Sequence, residues 1–172
     1  RQVDEHLPDR APAFYFIDIQ PHQTAKFDSI LKGIRGTGNL MRVASLRGRI
    51  VKISNEPVAQ RRIAPGSAWA VRGDRVLTYA VHPFEGAKIV AGEWWPENYR
   101  GPPLISLDAS LARGFGIGVG DTLTLNIMGR EIQAKIASLR EINWRSMRFD
   151  FAIIFAPGTL ENAPHTHIAA LQ

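Results

Sequence analysis

The chain has 172 residues, is 45% hydrophobic and 22% charged, carries a formal net charge of +5 and contains no cysteine. That length supports one domain or two small lobes with a real core, burying roughly 70% of the unfolded surface. The missing cysteines exclude disulfides, thiol catalysis and cysteine-based zinc sites, and no run of about 18 apolar residues is present to cross a membrane as a helix. The mainly arginine cations would suit nucleic acid or anionic lipid, but no block of five like charges makes an obvious patch, so a scattered solvated surface is the simpler expectation.

Arg1 to Pro12 is polar and carries Pro8 and Pro12. Residues 1–13 read as a stalk or linker, where a helix entering from upstream would end at Pro8. The first residue is arginine and no signal-peptide pattern follows, so an excised segment of a longer protein is expected. Phe14 to Ile19 is nearly continuous in apolar character and rich in β formers, as in a central strand buried on both faces. Pro21 stands where a first helical residue should, and Phe27, Ile30, Leu31 and Ile34 follow helical spacing until Gly33, Gly36 and Gly38 end it. Leu40 to Ile53 has strand character. Arg47, Arg49 and Val51 fall on one side of it, and Leu46, Gly48 and Ile50 on the other. The opening is therefore β-α-β, the size of half a split βαβ unit.

Asn55-Glu56-Pro57 reads as a turn. Val58 to Ile63 is a short strand or linker. Trp69 to Val71 and Arg75 to Ala80 read as paired short strands around Gly73-Asp74, and Lys88 to Gly92 as another strand. Trp94-Trp95-Pro96, followed by Tyr99 to Pro103, is an aromatic loop.

Leu107, Leu111 and Phe115 recur every four residues, the spacing of one buried helical face, and Gly114 and Gly116 stop that helix. After Gly120 the period becomes two. Leu123, Leu125 and Ile127 share one face and Thr122, Thr124 and Asn126 the other. Met128-Gly129-Arg130 turns the chain, and Ile132, Ala134 and Ile136 repeat the alternation on the way back. Phe149 to Phe155 is a strong strand that matches Phe14 to Ile19, and Ile168 to Leu171 a weaker final one. These elements predict an α+β fold: a lobe of residues 14–75 plus 145–172 around one sheet, with a β-rich lobe of residues 76–144 inserted in it.

An ordered set of motifs accompanies this pattern. Gly92-Glu93-Trp94-Trp95, Pro103-Leu104-Ile105-Ser106, Ala112 and the run from Gly116 to Leu123 resemble the MacB-like periplasmic core domain of FtsX-type ABC transporter permeases. Phe16 to Pro21, Leu46 to Ile50, Arg72-Gly73-Asp74 with Leu77-Thr78-Tyr79, Arg140-Glu141, Trp144-Arg145-Ser146 and Pro164 to His167 bring the likeness closer to the large YbbP-type permeases. It covers residues 14–170. Phe115 departs from the family pattern, which usually has leucine there, but stays apolar. The resemblance implies a porter-like α+β lobe with an inserted sabre-like lobe. It also implies a periplasmic position at the bacterial inner membrane, between transmembrane helices outside these residues. ATP hydrolysis would belong to a separate cytoplasmic ATPase subunit. This domain would pass on stalk movement or contact lipid-like cargo or a periplasmic partner protein.

Residue chemistry offers no catalytic set and no cofactor site. The glycines from Gly114 to Asp121 follow a helix and open a strand, the reverse of a phosphate-cradling loop. His165 and His167 would share one face of a strand and could meet zinc, but Asp150 and Glu161, the nearest acidic candidates for a third ligand, lack ligand spacing, so structural or surface roles are expected. Asp18, Asp28 and Asp150 are isolated carboxylates, expected at strand edges or beside arginine. Ser106, Ser110 and Ser138 lack the nucleophile-elbow glycines. Arg72-Gly73-Asp74 is explained by a turn. Trp94, Trp95 and Tyr99 are the one cluster that could touch an amphiphile or a partner, although the same rings could instead plug a joint between lobes. The function expected is therefore a non-catalytic transporter domain. The alternative is a nucleic-acid-binding module with a basic β surface, and a hydrolase with an unusual site is a third reading.

Overall fold

A computed structural model describes residues 18–19, 40–84, 87–141, 151–161 and 166–171. The expected helix after Pro21, residues 14–17 of the first strand, Trp144-Arg145-Ser146 and His165 lie outside the described residues.

Ten strands among them join one sheet: β1 (Asp18–Ile19), β2 (Leu40–Ile53), β3 (Glu56–Pro57), β4 (Arg75–Tyr79), β5 (Lys88–Gly92), β6 (Leu104–Asp108), β7 (Thr122–Ile127), β8 (Arg130–Glu141), β9 (Ile153–Phe155) and β10 (Thr166–Leu171). Six of them close on themselves in the order β2-β4-β9-β6-β8-β7 and back to β2. The contacts are antiparallel except β4 with β9 and β6 with β8. A closed barrel leaves none of these six with a free edge over its paired length. β10 pairs with the first half of β2 and carries β1 on its other side, while β5 extends the sheet from the last residues of β8.

β2 is the hub. Its residues 40–45 pair with β10, 46–48 with β4 and 49–53 with β7. The alternation read from sequence holds: Leu46, Gly48 and Ile50 are buried, and Arg47 and Arg49 are exposed. Gly48 is small for a reason. A Cβ there would come within 2.7 Å of Leu77 Cδ1 and 2.9 Å of Ile127 Cγ1, so these two side chains occupy the space a larger residue would need. Leu46, Ile50, Leu77, Ile105, Leu107, Leu123, Leu125, Ile136 and Phe155 form the core. At about 25 cal/mol per Å² of apolar area removed from water, each fully buried leucine or isoleucine contributes about 2 kcal/mol.

The only α-helix among the described residues, α1 (Ala109–Phe115), is shorter than its apolar spacing suggested and begins two residues after Leu107. Leu107 is not on it. Leu104 to Asp108 is a strand pairing on both edges, and Leu107 faces the core from β6. The four-residue recurrence was thus produced by a strand residue followed by two helical ones. Asp108 starts the helix, its carboxylate accepting from the Ser110 amide at 3.4 Å and the Ser110 hydroxyl at 3.0 Å. Gly116, at φ +74°, ends it: the Gly116 and Ile117 amides return to the Arg113 and Ala112 carbonyls. The Arg61 guanidinium donates to the Phe115 carbonyl, closing another orphan acceptor at that terminus.

Trp69 to Val71 also differ from expectation. They belong to a 3-10 helix, Pro65–Val71, rather than to a strand paired with β4. Pro65 supplies the first-turn φ, and Ser67 and Ala70 pack inward. The β2–β3 turn is made by Ser54 and Asn55, both at positive φ, so Glu56-Pro57 begins the return strand instead of belonging to the turn. Residues 18–19 and 153–155 do belong to one continuous sheet. β10, β2 and β4 stand between them, and among the described residues β1 is at the outer end of that order rather than its centre. The barrel draws β2, β4 and β9 from outside, or from the boundary of, the segment 76–144, and β6, β7 and β8 from within it.

Gly114 lies inside α1 where it meets the 3-10 helix, and a Cβ there would collide with the Ser67 side chain. On an exposed helix Gly→Ala gains about 1 kcal/mol. At Gly114 the sign is expected to reverse, with a loss of about 1–3 kcal/mol read by urea denaturation. Ser67→Gly in the Gly114→Ala background should recover most of it, since the two sites share one contact.

Candidate functional site

The aromatic loop is built onto the outside of the barrel. Trp94 and Trp95 leave β5, and their indole N–H groups donate to the Val81 and Ala80 carbonyls, each at 2.8 Å. Two consecutive indoles thus satisfy two consecutive acceptors of the chain leaving β4. Their ring centroids lie 4.2 Å apart at 35°. Trp95 is only 4% exposed and packs with Phe151, Ile154 and Ala156 in a second apolar cluster. Trp94, Tyr99 and Phe84 pack partly buried at its margin, with Phe84 tilted against Phe151 at 6.1 Å. The Tyr99 hydroxyl donates to the Pro102 carbonyl and pins the far end of the loop.

The three residues singled out from sequence therefore lie in one cluster with unequal surfaces. Trp95 is a buried anchor. Trp94 and Tyr99 keep part of their rings exposed, and Val81, 39% exposed, lies beside Trp94 through the hydrogen bond at its carbonyl. The arrangement is a preformed aromatic platform held by backbone carbonyls, with a polar handle on each ring already spent inside the protein. What it offers outward is apolar face.

Sequence reasoning passed over a second constellation. Ser106, Ser138 and Arg140 are buried together between β6 and β8. Ser138 Oγ donates to Ser106 Oγ at 2.8 Å, and Arg140 Nε lies 2.9 Å from Ser106 Oγ. Arg140 Nη2 donates to the carbonyls of Ser106, Phe151 and Ala152. The guanidinium is 1% exposed and ties β6, β8 and the segment entering β9 into one network. A fork of fixed N–H donors suits several carbonyls at once, as a lysine ammonium would not. The signal was in the alternation: Ala134 and Ile136 face inward, and the same period of two carries Ser138 and Arg140 to that face. Ser110, by contrast, sits at the helix start with the Asp108 carboxylate, so each of the three serines weighed from sequence has a partner that belongs to the fold.

The glycine run from Gly114 to Asp121 is a helix stop and strand start. The Gly118 amide donates to the Asp121 carboxylate at 2.8 Å, so this amide is occupied by the protein's own anion. Arg72-Gly73-Asp74 is an exposed turn with Gly73 at φ +70°. His167 is in β10, paired with Ala44 and Ile19. Among the described residues no group of three or more histidine or acidic side chains is placed to hold a metal.

Replacing Arg140 by methionine keeps much of the stem volume and removes the donors. It is expected to cost about 3 kcal/mol, because several buried acceptors lose their partner together. Thermal unfolding of Arg140→Met beside Ser106→Ala measures it, with the serine change costing about 1 kcal/mol.

No family model matches the chain, and no solved structure does. The chain is 26% identical over 168 residues, or 98% of its length, to a protein of Escherichia coli (strain K12) described as the uncharacterized ABC transporter permease YbbP. It spans 20% of that relative's length. This similarity supports a domain related to one segment of an ABC transporter permease.

Proposed function

We propose that the chain is a non-catalytic extracytoplasmic domain of an ABC transporter permease, on the periplasmic side of the bacterial inner membrane. The observation that carries this reading is the similarity to the permease YbbP along nearly the whole chain. In this reading ATP is hydrolysed by a separate cytoplasmic ATPase subunit. Membrane attachment belongs to transmembrane helices beyond these residues; among the described residues no helix is long and apolar enough to cross a membrane. The domain is FtsX-like and MacB-like, with residues 14–75 and 145–172 as the porter-like lobe and 76–144 as its sabre-like insertion. Strands of both contribute to one barrel.

Two features suit a part that passes on movement. The barrel is closed, so a load applied at one strand is shared around the ring through backbone hydrogen bonds rather than opening an edge. β2 runs fourteen residues and joins the β1–β10 end of the sheet to the barrel, which makes it the direct mechanical link between them. Cargo or partner contact falls to the exposed faces of Trp94 and Tyr99, with Trp95 as their anchor. An apolar, preformed platform takes a lipid-like or amphiphilic molecule without having to order itself first.

Two measurements test this. These 172 residues contribute no cysteine, and Asn98→Cys in a parent permease whose other cysteines have been replaced by serine should be labelled in intact cells by a membrane-impermeant maleimide. Labelling only after lysis would place the domain on the other side. For contact, a brominated amphiphile should quench the indole fluorescence of the isolated chain, and Trp94→Ala should lower its affinity about five- to tenfold, the share of one partly desolvated aromatic contact. Unchanged emission at saturating amphiphile would remove the platform from the cargo path.

A further inference from the structure

The β7–β8 hairpin contains a local contradiction. Met128 and Gly129 form its two-residue turn, at φ +53° and +86°. Such a turn favours Asn-Gly or Gly-Gly, because an L side chain in the left-handed region meets its own backbone. Methionine has no side-chain polar group to recover that cost. It also points its apolar side chain into water: Met128 is 64% exposed, more than any other exposed large hydrophobic residue described. The fold needs neither property, since asparagine would suit the turn better.

The surroundings of this tip are cationic and apolar. Arg49 stands opposite Asn126, and the same register brings Arg47 alongside Met128. Arg47 is paired on its other side with Val76, which is 40% exposed. Arg130 follows the turn, opposite Ile127, and is exposed. Across β4, β2 and the hairpin tip the outer surface thus reads valine, arginine, methionine, with Arg49 flanking and Arg130 on the other face of the hairpin at its tip. Glu131, opposite Asn126 and so on the same face as Arg49, is the carboxylate nearest in register, and among the described residues no ion pair involves Arg47, Arg49 or Arg130. The tip is convex. A Cβ added at Gly129 would meet nothing within 4 Å.

We infer that this hairpin tip docks on an anionic phospholipid surface, with Met128 entering the headgroup layer and Arg47, Arg49 and Arg130 facing the phosphates. A rigid protein partner would need a pocket shaped to one protruding side chain. A fluid headgroup layer accepts it anywhere, and adds electrostatic attraction for each cation held near the surface. The strained methionine is then explained as stability given up for an insertion residue. The tip lies at the start of β8, the opposite end of that strand from β5 and the aromatic loop, so this surface is separate from the Trp94 platform. It does not depend on the permease reading, because it is tested on the isolated chain.

The test is co-sedimentation with vesicles of about three parts zwitterionic to one part anionic phospholipid, against purely zwitterionic vesicles. The chain should bind the anionic vesicles at least about tenfold more tightly, and rising salt should weaken that binding. Arg47→Ser and Arg49→Ser should each lower affinity about fivefold and flatten the salt dependence. Met128→Asn separates docking from folding: its melting temperature should hold or rise while affinity drops about five- to tenfold. A dye on Met128→Cys should shift to the blue on anionic vesicles only. Equal binding to both vesicle types, no binding to either, unaltered affinity in Met128→Asn, or tight binding to oligonucleotides with indifference to lipid would each overturn the inference.

Discussion

The structure depends on the pairing of β2 along its whole length. A fourteen-residue strand exposes more backbone donors and acceptors than one neighbour can satisfy, and each left buried and unpaired costs free energy. β2 meets this by changing partners as it advances, from β10 to β4 and then to β7. That change of partners is what closes the barrel. It also fixes the two faces: once Leu46, Gly48 and Ile50 face the interior, a slip of one residue would bring Arg47 and Arg49 inside, where neither has a partner. The hydrophobic pattern and the closure therefore enforce each other.

Closure brings a difficulty elsewhere. The ring includes two parallel contacts, β4 with β9 and β6 with β8, and β9 is only three residues long. So short a strand is held weakly by its own ladder. Arg140 reinforces it from the side, donating to the Phe151 and Ala152 carbonyls just before β9 while bound to Ser106 on β6. The second apolar cluster, with Trp95 against Phe151, Ile154 and Ala156, covers the same segment from the outside. A buried cation on one side and an indole on the other make the short strand a fixed part of the barrel. The aromatic loop thus has a structural task before any functional one, and only the partly exposed faces of Trp94 and Tyr99 are free for a second.

The two surfaces with functional content differ in kind. At the aromatic loop every polar group of the rings is used internally, so the outward face is apolar and preorganised. At the hairpin tip the conformation is costly and the side chain exposed, with arginines aligned by strand register. One surface arises where stability and exposure coincide; the other arises where stability has been conceded. The hairpin tip is part of the β frame, and the aromatic loop is tied to it by the indole hydrogen bonds to the chain leaving β4.

The sequence alone determined the elements with local causes. Period-two alternation set β2, β7 and β8; Gly116 set the helix end, and Met128-Gly129 the hairpin. It also carried the ordered motifs that resemble ABC permeases, in agreement with the similarity found across 98% of the chain. It misassigned Leu107 and residues 69–71. A leucine four residues before a helical one has helical spacing even from a strand, and a short apolar run after Pro-Gly does not distinguish a 3-10 turn from a strand. Tertiary structure alone decided the rest. Barrel closure, the burial of Arg140 among carbonyls from two other segments and the alignment of Arg47 with both Val76 and Met128 depend on contacts between residues far apart in the chain. No local period encodes these contacts; they follow from which edges must be paired once the core face is buried.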